Sequence, residues 1–260
     1  MKLFFKQQAK VVGSGFVLAL AFFIQASTLS GAEWRRYFLT PEAVDVVALL
    51  PAPPLPASPE DLADMATVVN ARNQCSSNEL AAALVHDRSL TAFNMAPFIG
   101  DFFTASRLPK TAALLRHAQS DTSCFVAAAK ANWKRLRPSV VDTNLLVTTP
   151  DLDFSYPSGH SAGATMVALI LMDLDPEHAG QILAASRAAG WQRVQLARHY
   201  PSDIQAGRVL AQAVFHAMKA NLRYQQEFAE AQAEMAAAKA ATASPPPAAP
   251  AAKAAEAAAH

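Results

Sequence analysis

The sequence predicts an all-α fold built as one compact helical domain, and three observations carry that expectation. Almost nothing along the chain alternates at the two-residue period of a half-buried strand. Helix-start chemistry recurs instead, at Ser58-Pro59, Ser76-Ser77-Asn78-Glu79, Asp175-Pro176 and Pro201. With only 9 glycines in 260 residues, the chain lacks the material for a glycine-rich nucleotide loop or a repetitive β architecture. Hydrophobic residues make up 52% and charged residues 17%, against a usual charged share of about 25%. That composition supplies a core and excludes a disordered polyelectrolyte.

The N-terminus reads as an export signal. Lys2, Lys6 and Lys10 precede an apolar run from Val11 to Ile24, and Ser30 and Ala32 fit the small-x-small cleavage rule. Fourteen apolar-dominated residues fall short of the roughly 20 that a span requires. Residues 1–32 are therefore expected to be a signal peptide, and the mature chain periplasmic or secreted; an uncleaved anchor that tethers the exported chain at one end is the alternative. Cleavage would remove three lysines and no acids, moving the formal charge from +1 to −2. Neither value leaves an electrostatic footprint for nucleic acid. No other stretch carries about 18 continuous apolar residues, so no membrane association is expected beyond export. Residues 33–239 form the expected helical domain, and 240–260, rich in Ala and Pro, the expected disordered tail.

Taken in order, Pro51–Pro56 must be extended, because proline fixes φ and lacks a donor. Ser58 with Pro59 and an acid at the third helical position opens a first helix. Ser76 and Glu79 form a capping box that opens a second, running toward Phe93. Further helices are expected over Pro97–Ser106, Lys110–Gln119 and Asp121–Leu136, the last stopped by Pro138. Residues 139–157 read as a loop, and Gly159–Leu174 as a buried helix. Asp175-Pro176-Glu177 starts another toward Arg198, and Pro201 a long one reaching Ala238.

Three short segments concentrate residues that suit a tetrahedral anion. In Lys130–Pro138, residues seven apart lie on one helical face, so Lys130 and Arg137 are expected to point the same way, with Lys134 near the same stripe. Alone, this is an ordinary solvated basic face. In Tyr156-Pro157-Ser158-Gly159-His160, a serine cap and a glycine precede an apolar helix, whose first amides form a ready anion site. His160 there can donate a proton; alone, the segment is a capped helix. In the third, Arg193 precedes His199 and Asp203 by six and ten positions. With Pro201 as first helical residue, Asp203 can reach back, fix one imidazole nitrogen and leave the other free to attack. Arg193 can clamp two oxygens.

Together, K-x6-R-P, P-S-G-H and R-x5-H-x3-D resemble the signature of the type 2 phosphatidic acid phosphatase superfamily, and within it the secreted bacterial class A non-specific acid phosphatases. The resemblance runs from the proline-rich segment through Ala206-Gly207-Arg208. It implies the helical fold shared by these acid phosphatases and the vanadium haloperoxidases, and homo-oligomeric assembly. It implies hydrolysis of a small-molecule phosphate monoester, with His199 as nucleophile, Asp203 orienting it and His160 as general acid. Lys130, Arg137, Arg193, Ser158 and Gly159 would hold the phosphate. No metal or cofactor is implied, since cationic side chains and helix amides supply the charge.

Three positions depart from the class A pattern. Gln192 stands where serine is usual and Ser161 where threonine is usual, and 142–156 lack a cysteine common in that loop. A vanadate-dependent haloperoxidase would use the same pocket, but no histidine follows His160 directly. A catalytically inactive phosphate-binding module would have lost the His–Asp pair, which is intact here. The two cysteines, Cys75 and Cys124, are expected to pair in an oxidising compartment. That bridge would close a loop of about 50 residues, worth about 4 kcal/mol in the chain-entropy model. Two separately buried thiols are the alternative.

Overall fold

The computed structural model describes residues 35–89, 91–149 and 151–243. The proposed signal peptide lies outside them, as does the tail beyond residue 243. Among the described residues there is no strand. The helices are α1 (Val46–Leu49), α2 (Pro59–Gln74), α3 (Ser77–Ser89), α4 (Ala92–Met95), α5 (Pro109–Trp133), α6 (Pro138–Val141), α7 (Gly159–Leu174), α8 (Ala179–Gln195), α9 (Pro201–Lys219) and α10 (Leu222–Ala243). None is long and apolar enough to cross a membrane.

Helix α7 is the centre of the packing. It is apolar on nearly every side, and such a helix is stable only when surrounded. Helices α5, α8 and α9 enclose it, with Met166, Ile170 and Leu171 fully buried. On the far side of α5 lies α10, whose Glu234 carboxylate accepts the Lys110 and Thr111 N–H groups at 3.0 and 2.8 Å. A carboxylate from a distant helix thus caps the start of α5. Helices α2 and α3 pack on α8.

Where local chemistry decides, the expected boundaries hold. Ser58 Oγ accepts the Asp61 N–H at 3.2 Å to open α2. Ser76 and Glu79 close their box, with Glu79 Oε2 accepting the Ser76 N–H at 2.9 Å. Helix α7 spans the expected Gly159–Leu174. Elsewhere the structure corrects the reading. Lys110–Gln119 and Asp121–Leu136 are one helix, because Asp121 caps no helix of its own. Its buried carboxylate accepts the N–H groups of Tyr37, Phe38 and Leu39 at 2.6–2.9 Å. Pro97–Ser106 holds only a 3-10 turn at Pro97–Ile99, and 139–157 are not wholly loop but contain α6 and a 3-10 turn at Thr143–Leu145. Another 3-10 turn, Pro176–His178, precedes α8, which ends at Gln195 rather than Arg198. The long last helix breaks after Lys219, and α10 runs through Ala243, so residues 240–243 belong to it and not to a tail.

The cysteines also require correction, for no disulfide joins Cys75 to Cys124. Cys75 ends α2, which packs on α8 and α9; Cys124 lies well inside α5, which packs on α7 and α10. The expectation placed Cys124 in the first turn of a short helix, and the merged α5 removes that geometry.

One glycine sets how closely two helices meet. A Cβ on Gly207 of α9 would lie 2.6 Å from the Ser158 carbonyl oxygen and 3.2 Å from the Ala162 nitrogen. Only glycine lets α9 seat against the start of α7, where the Ser158 N–H donates to the Asp203 carbonyl at 3.0 Å. Gly207→Ala is expected to cost about 1–3 kcal/mol through this overlap. Thermal denaturation would show the loss, whereas an unchanged midpoint would mean that the helices part without cost.

Candidate active site

Two helix N-termini meet at the site. Ser158 caps α7, its Oγ accepting the Ser161 N–H at 3.3 Å. Helix geometry then leaves the Gly159 and His160 amides without an intrahelical acceptor. At α9, Pro201 is the first residue and Asp203 the third, as expected, and Asp203 is fully buried. Its Oδ2 accepts the Tyr200 N–H at 2.8 Å and the Ser155 hydroxyl at 2.5 Å. The same oxygen lies 3.4 Å from His199 Nδ1, long for a hydrogen bond, with Ser155 Oγ 3.3 Å from that nitrogen.

The other ring nitrogen of His199 fixes the tautomer. Nε2 lies 3.0 Å from Arg137 Nη1, and a guanidinium can only donate. Nε2 is therefore the acceptor, and the proton sits on Nδ1, toward Ser155 and Asp203. Burial pushes the His199 pKa well below its ordinary 6.5, and Arg137, Lys130 and Arg193 push it the same way. The imidazole is neutral, with its lone pair facing a cluster of cations.

Arg137 reaches that cluster by a route the spacing did not suggest. Helix α5 ends at Trp133, and Lys134 turns left-handed at φ 50°, exposed to solvent. Arg137 is the extended residue before α6, not part of the α5 face. It nonetheless meets Lys130 at one residue: Lys130 Nζ donates to Asp153 Oδ2 at 2.5 Å, and Arg137 Nε to the Asp153 carbonyl at 2.8 Å. The expected face-sharing was wrong, and a loop supplies the convergence.

Arg193 lies near the end of α8, with Nη1 paired to Asp87 of α3. Its Nε is buried with no hydrogen-bond partner, an orphan donor in a cationic site. Gln192 does not support it but faces His86 Nδ1 at 2.7 Å. His160 has its pKa pushed down to about 4, first by burial, then by the Arg193 cation, with Asp87 partly opposing.

Sequence reasoning missed the groups behind these residues. Arg135, buried between Lys130 and Arg137 in the chain, donates to Asp203 Oδ1 at 2.9 Å. Its other nitrogen meets Asp61 and Asp64 of α2 at 2.9 and 3.0 Å, and it stacks 3.8 Å over the Tyr200 ring. Asp87, Asp151, Asp153, Ser155 and Arg198 were missed too. A signal existed only for Arg135, within a visibly basic run. Among the described residues, no group of three or more His, Cys, Asp or Glu side chains is placed to hold a metal ion.

A buried His–Asp pair, an anion-ready helix start and a cluster of cations thus converge in one helical domain, and their chemistry suits a phosphate-like anion. The PAP2 superfamily model matches residues 114–227, which include His160, His199, Asp203 and the cations Lys130, Arg135, Arg137, Arg193 and Arg198. The chain belongs to the PAP2 superfamily. It is 30% identical over 207 residues to an acid phosphatase of Zymomonas mobilis subsp. mobilis, covering 75% of this chain and 77% of that one. It is 29% identical over 213 residues to a non-specific acid phosphatase of Providencia stuartii, covering 78% and 86%. A solved transmembrane PAP2 type phosphatidylglycerolphosphate phosphatase from Bacillus subtilis superimposes with a TM-score of 0.47 at 18% identity, covering 61% of this chain and 84% of that one.

Two measurements follow from the buried charges. Arg135→Met would leave Asp203 without its cation, and breaking one side of such a buried pair costs about 3–5 kcal/mol. Chemical denaturation checks this, and a cost under about 1 kcal/mol would mean that the network is dispensable. For His160, the folded pKa lies below the unfolded value, so the unfolded state binds protons first as pH falls. Its contribution to stability is present above about pH 6.5 and fades toward about pH 4. Melting temperature against pH should therefore fall less steeply in His160→Gln than in the unaltered protein; parallel curves would contradict the shift.

Proposed function

We propose that this chain is a periplasmic or secreted acid phosphatase that hydrolyses phosphate monoesters through a phosphohistidine on His199, without a metal ion. The observation that carries the reading is the orientation of His199, with its Nε2 lone pair toward Arg137 and its Nδ1 proton toward Asp203.

In this mechanism the phosphoryl oxygens take the donors of Lys130, Arg137 and Arg193, including the orphan Nε, together with the Ser158 hydroxyl and the Gly159 amide. Arg137 Nη1 then turns from Nε2 to phosphate, which frees the lone pair. Nε2 forms a bond to phosphorus as the bond to the leaving oxygen breaks, and His160 gives that oxygen a proton. The phosphorylated imidazole is positive and is stabilised by the Asp203 carboxylate. His160, now neutral, takes a proton from water, which attacks phosphorus, breaks the P–N bond and releases inorganic phosphate.

Charge explains how His160 acquires its proton. Burial first, then Arg193 and Arg137, hold its pKa down, and a phosphate dianion bound by the two arginines offsets their share. Substrate binding therefore favours protonation of the acid that the reaction needs.

The test traps the intermediate. Turnover of a labelled monoester should yield an alkali-stable, acid-labile phosphoenzyme that disappears in His199→Ala. Vanadate should compete with substrate, and activity should persist in EDTA. The profile of kcat against pH should be bell-shaped, its basic limb lying above that of kcat/KM, because bound phosphate raises the His160 pKa. Inversion of configuration at phosphorus, or complete loss of activity in EDTA, would overturn the mechanism.

A further inference from the structure

The clamp carries its own counter-charges. Asp153 pairs with Lys130, and Asp151 Oδ2 meets Arg137 Nη2 at 2.8 Å. Both acids are held in place from several sides. Arg198 donates to the Thr148 hydroxyl at 2.5 Å and the Thr149 carbonyl at 2.9 Å, before them in the chain. After them, Lys130 donates to the Phe154 carbonyl and the Phe154 N–H donates to Asp153 Oδ1 at 2.7 Å. Asp151 Oδ1 in turn accepts the Asp153 N–H at 3.2 Å.

Exposure shows which side of the site these acids occupy. His199 and Asp203 are 1% and 0% exposed, and the Arg193 side chain, with its orphan Nε, is 4% exposed. The Asp151 and Asp153 side chains are 36% and 57% exposed. In-line displacement puts the leaving oxygen opposite the nucleophile. Because His199 attacks from the buried side, the leaving group must face the solvent side, where these carboxylates stand. Around the site, Lys130, Arg137, Arg193 and Arg198 face Asp87, Asp151 and Asp153, four cations against three acids. One net positive charge is left, where removal of Asp151 and Asp153 would leave three. A phosphoryl dianion already outweighs that single charge, so a further anion on the leaving group meets no compensation there.

We propose that Asp151 and Asp153 select the leaving group, favouring monoesters whose alcohol carries an amine and disfavouring those whose alcohol carries a further anion. The proposal rests on the phosphatase reading above and names its substrate class. Once the phosphoryl group takes up the Lys130 and Arg137 donors, the two carboxylates lose part of their compensation. An ammonium on the leaving group replaces it, whereas a carboxylate or second phosphate adds repulsion.

A size-matched series separates charge from shape: O-phosphoethanolamine, 2-hydroxyethyl phosphate and phosphoglycolate. The unaltered protein should rank them by kcat/KM in that order, with about tenfold or more between first and last. The order should collapse in Asp151→Asn/Asp153→Asn and should narrow in the unaltered protein as salt is raised, because the charges are partly exposed. The salt series keeps the test decisive should the double variant fold poorly. A flat ranking in the unaltered protein, or one retained by the double variant, would overturn the proposal. So would an equal gain for all three esters in the variant, which would make the acids mere competitors for the clamp. Calorimetric binding of the same esters to His199→Ala distinguishes the two levels. Ordered binding to His199→Ala, when the unaltered protein hydrolyses none of the esters, would refute the phosphatase reading and leave the selectivity standing.

Discussion

The carboxylate of Asp203 organises the molecule. An ionised carboxyl group with no solvent exposure is tolerable only if every lone-pair direction is answered. Here the donors come from three places in the chain, Ser155 before α7, Tyr200 at the start of α9 and Arg135 after α5, with the His199 ring 3.4 Å away. Each fixes the position of an element. Arg135 carries the constraint outward to Asp61 and Asp64, so α2, remote in sequence, is tied to the same charge. Burial raises the Asp203 pKa while Arg135 and these hydrogen bonds lower it, and the upward pull prevails. The site therefore holds its orienting acid under tension between desolvation and pairing.

The cationic half of the site obeys the same rule with the signs reversed. Lys130, Arg137 and Arg193 are all buried, and burial lowers the pKa of each. Three such charges would repel one another without partners, and Asp87, Asp151 and Asp153 supply them. The acids are less buried than the cations they serve. Compensation therefore comes from the rim, while the bases stay at depth beside His199.

How much of this was legible follows from the range of the forces. Ser158, Gly159 and the apolar run after them specify α7 locally, and its boundaries were readable. Pro201 and Asp203 likewise define the start of α9 within three residues. Asp121 looked like a helix start because acids favour that position, yet its carboxylate serves backbone amides 82 to 84 residues earlier, which no local pattern reveals. Lys130 and Arg137 meet at Asp153 but share no helical face, since the left-handed turn at Lys134 ends the helix that was to align them. Asp87, Asp151 and Asp153 are single acids whose partners lie on other elements, so only tertiary structure identifies them. The cysteine pairing failed on the same ground: compartment chemistry suggested a bridge, and the two cysteines lie on helices with different packing partners and form no disulfide.

The anchoring of the segment around Tyr37–Leu39 also bears on the order in which the chain becomes secure. Its amides wait for Asp121, and the Phe38 carbonyl accepts from Asn221, 183 residues later. Pro51, further along, offers its carbonyl to the hydroxyl of Tyr156. A ribosome delivers this stretch early, yet its partners arrive only after most of the domain has been made. Contacts so distant in sequence form slowly, because loop-closure entropy must be met first. The earliest part of the domain to be synthesised is thus among the last to dock, and until α10 follows Asn221 it remains within reach of proteases and holdase chaperones.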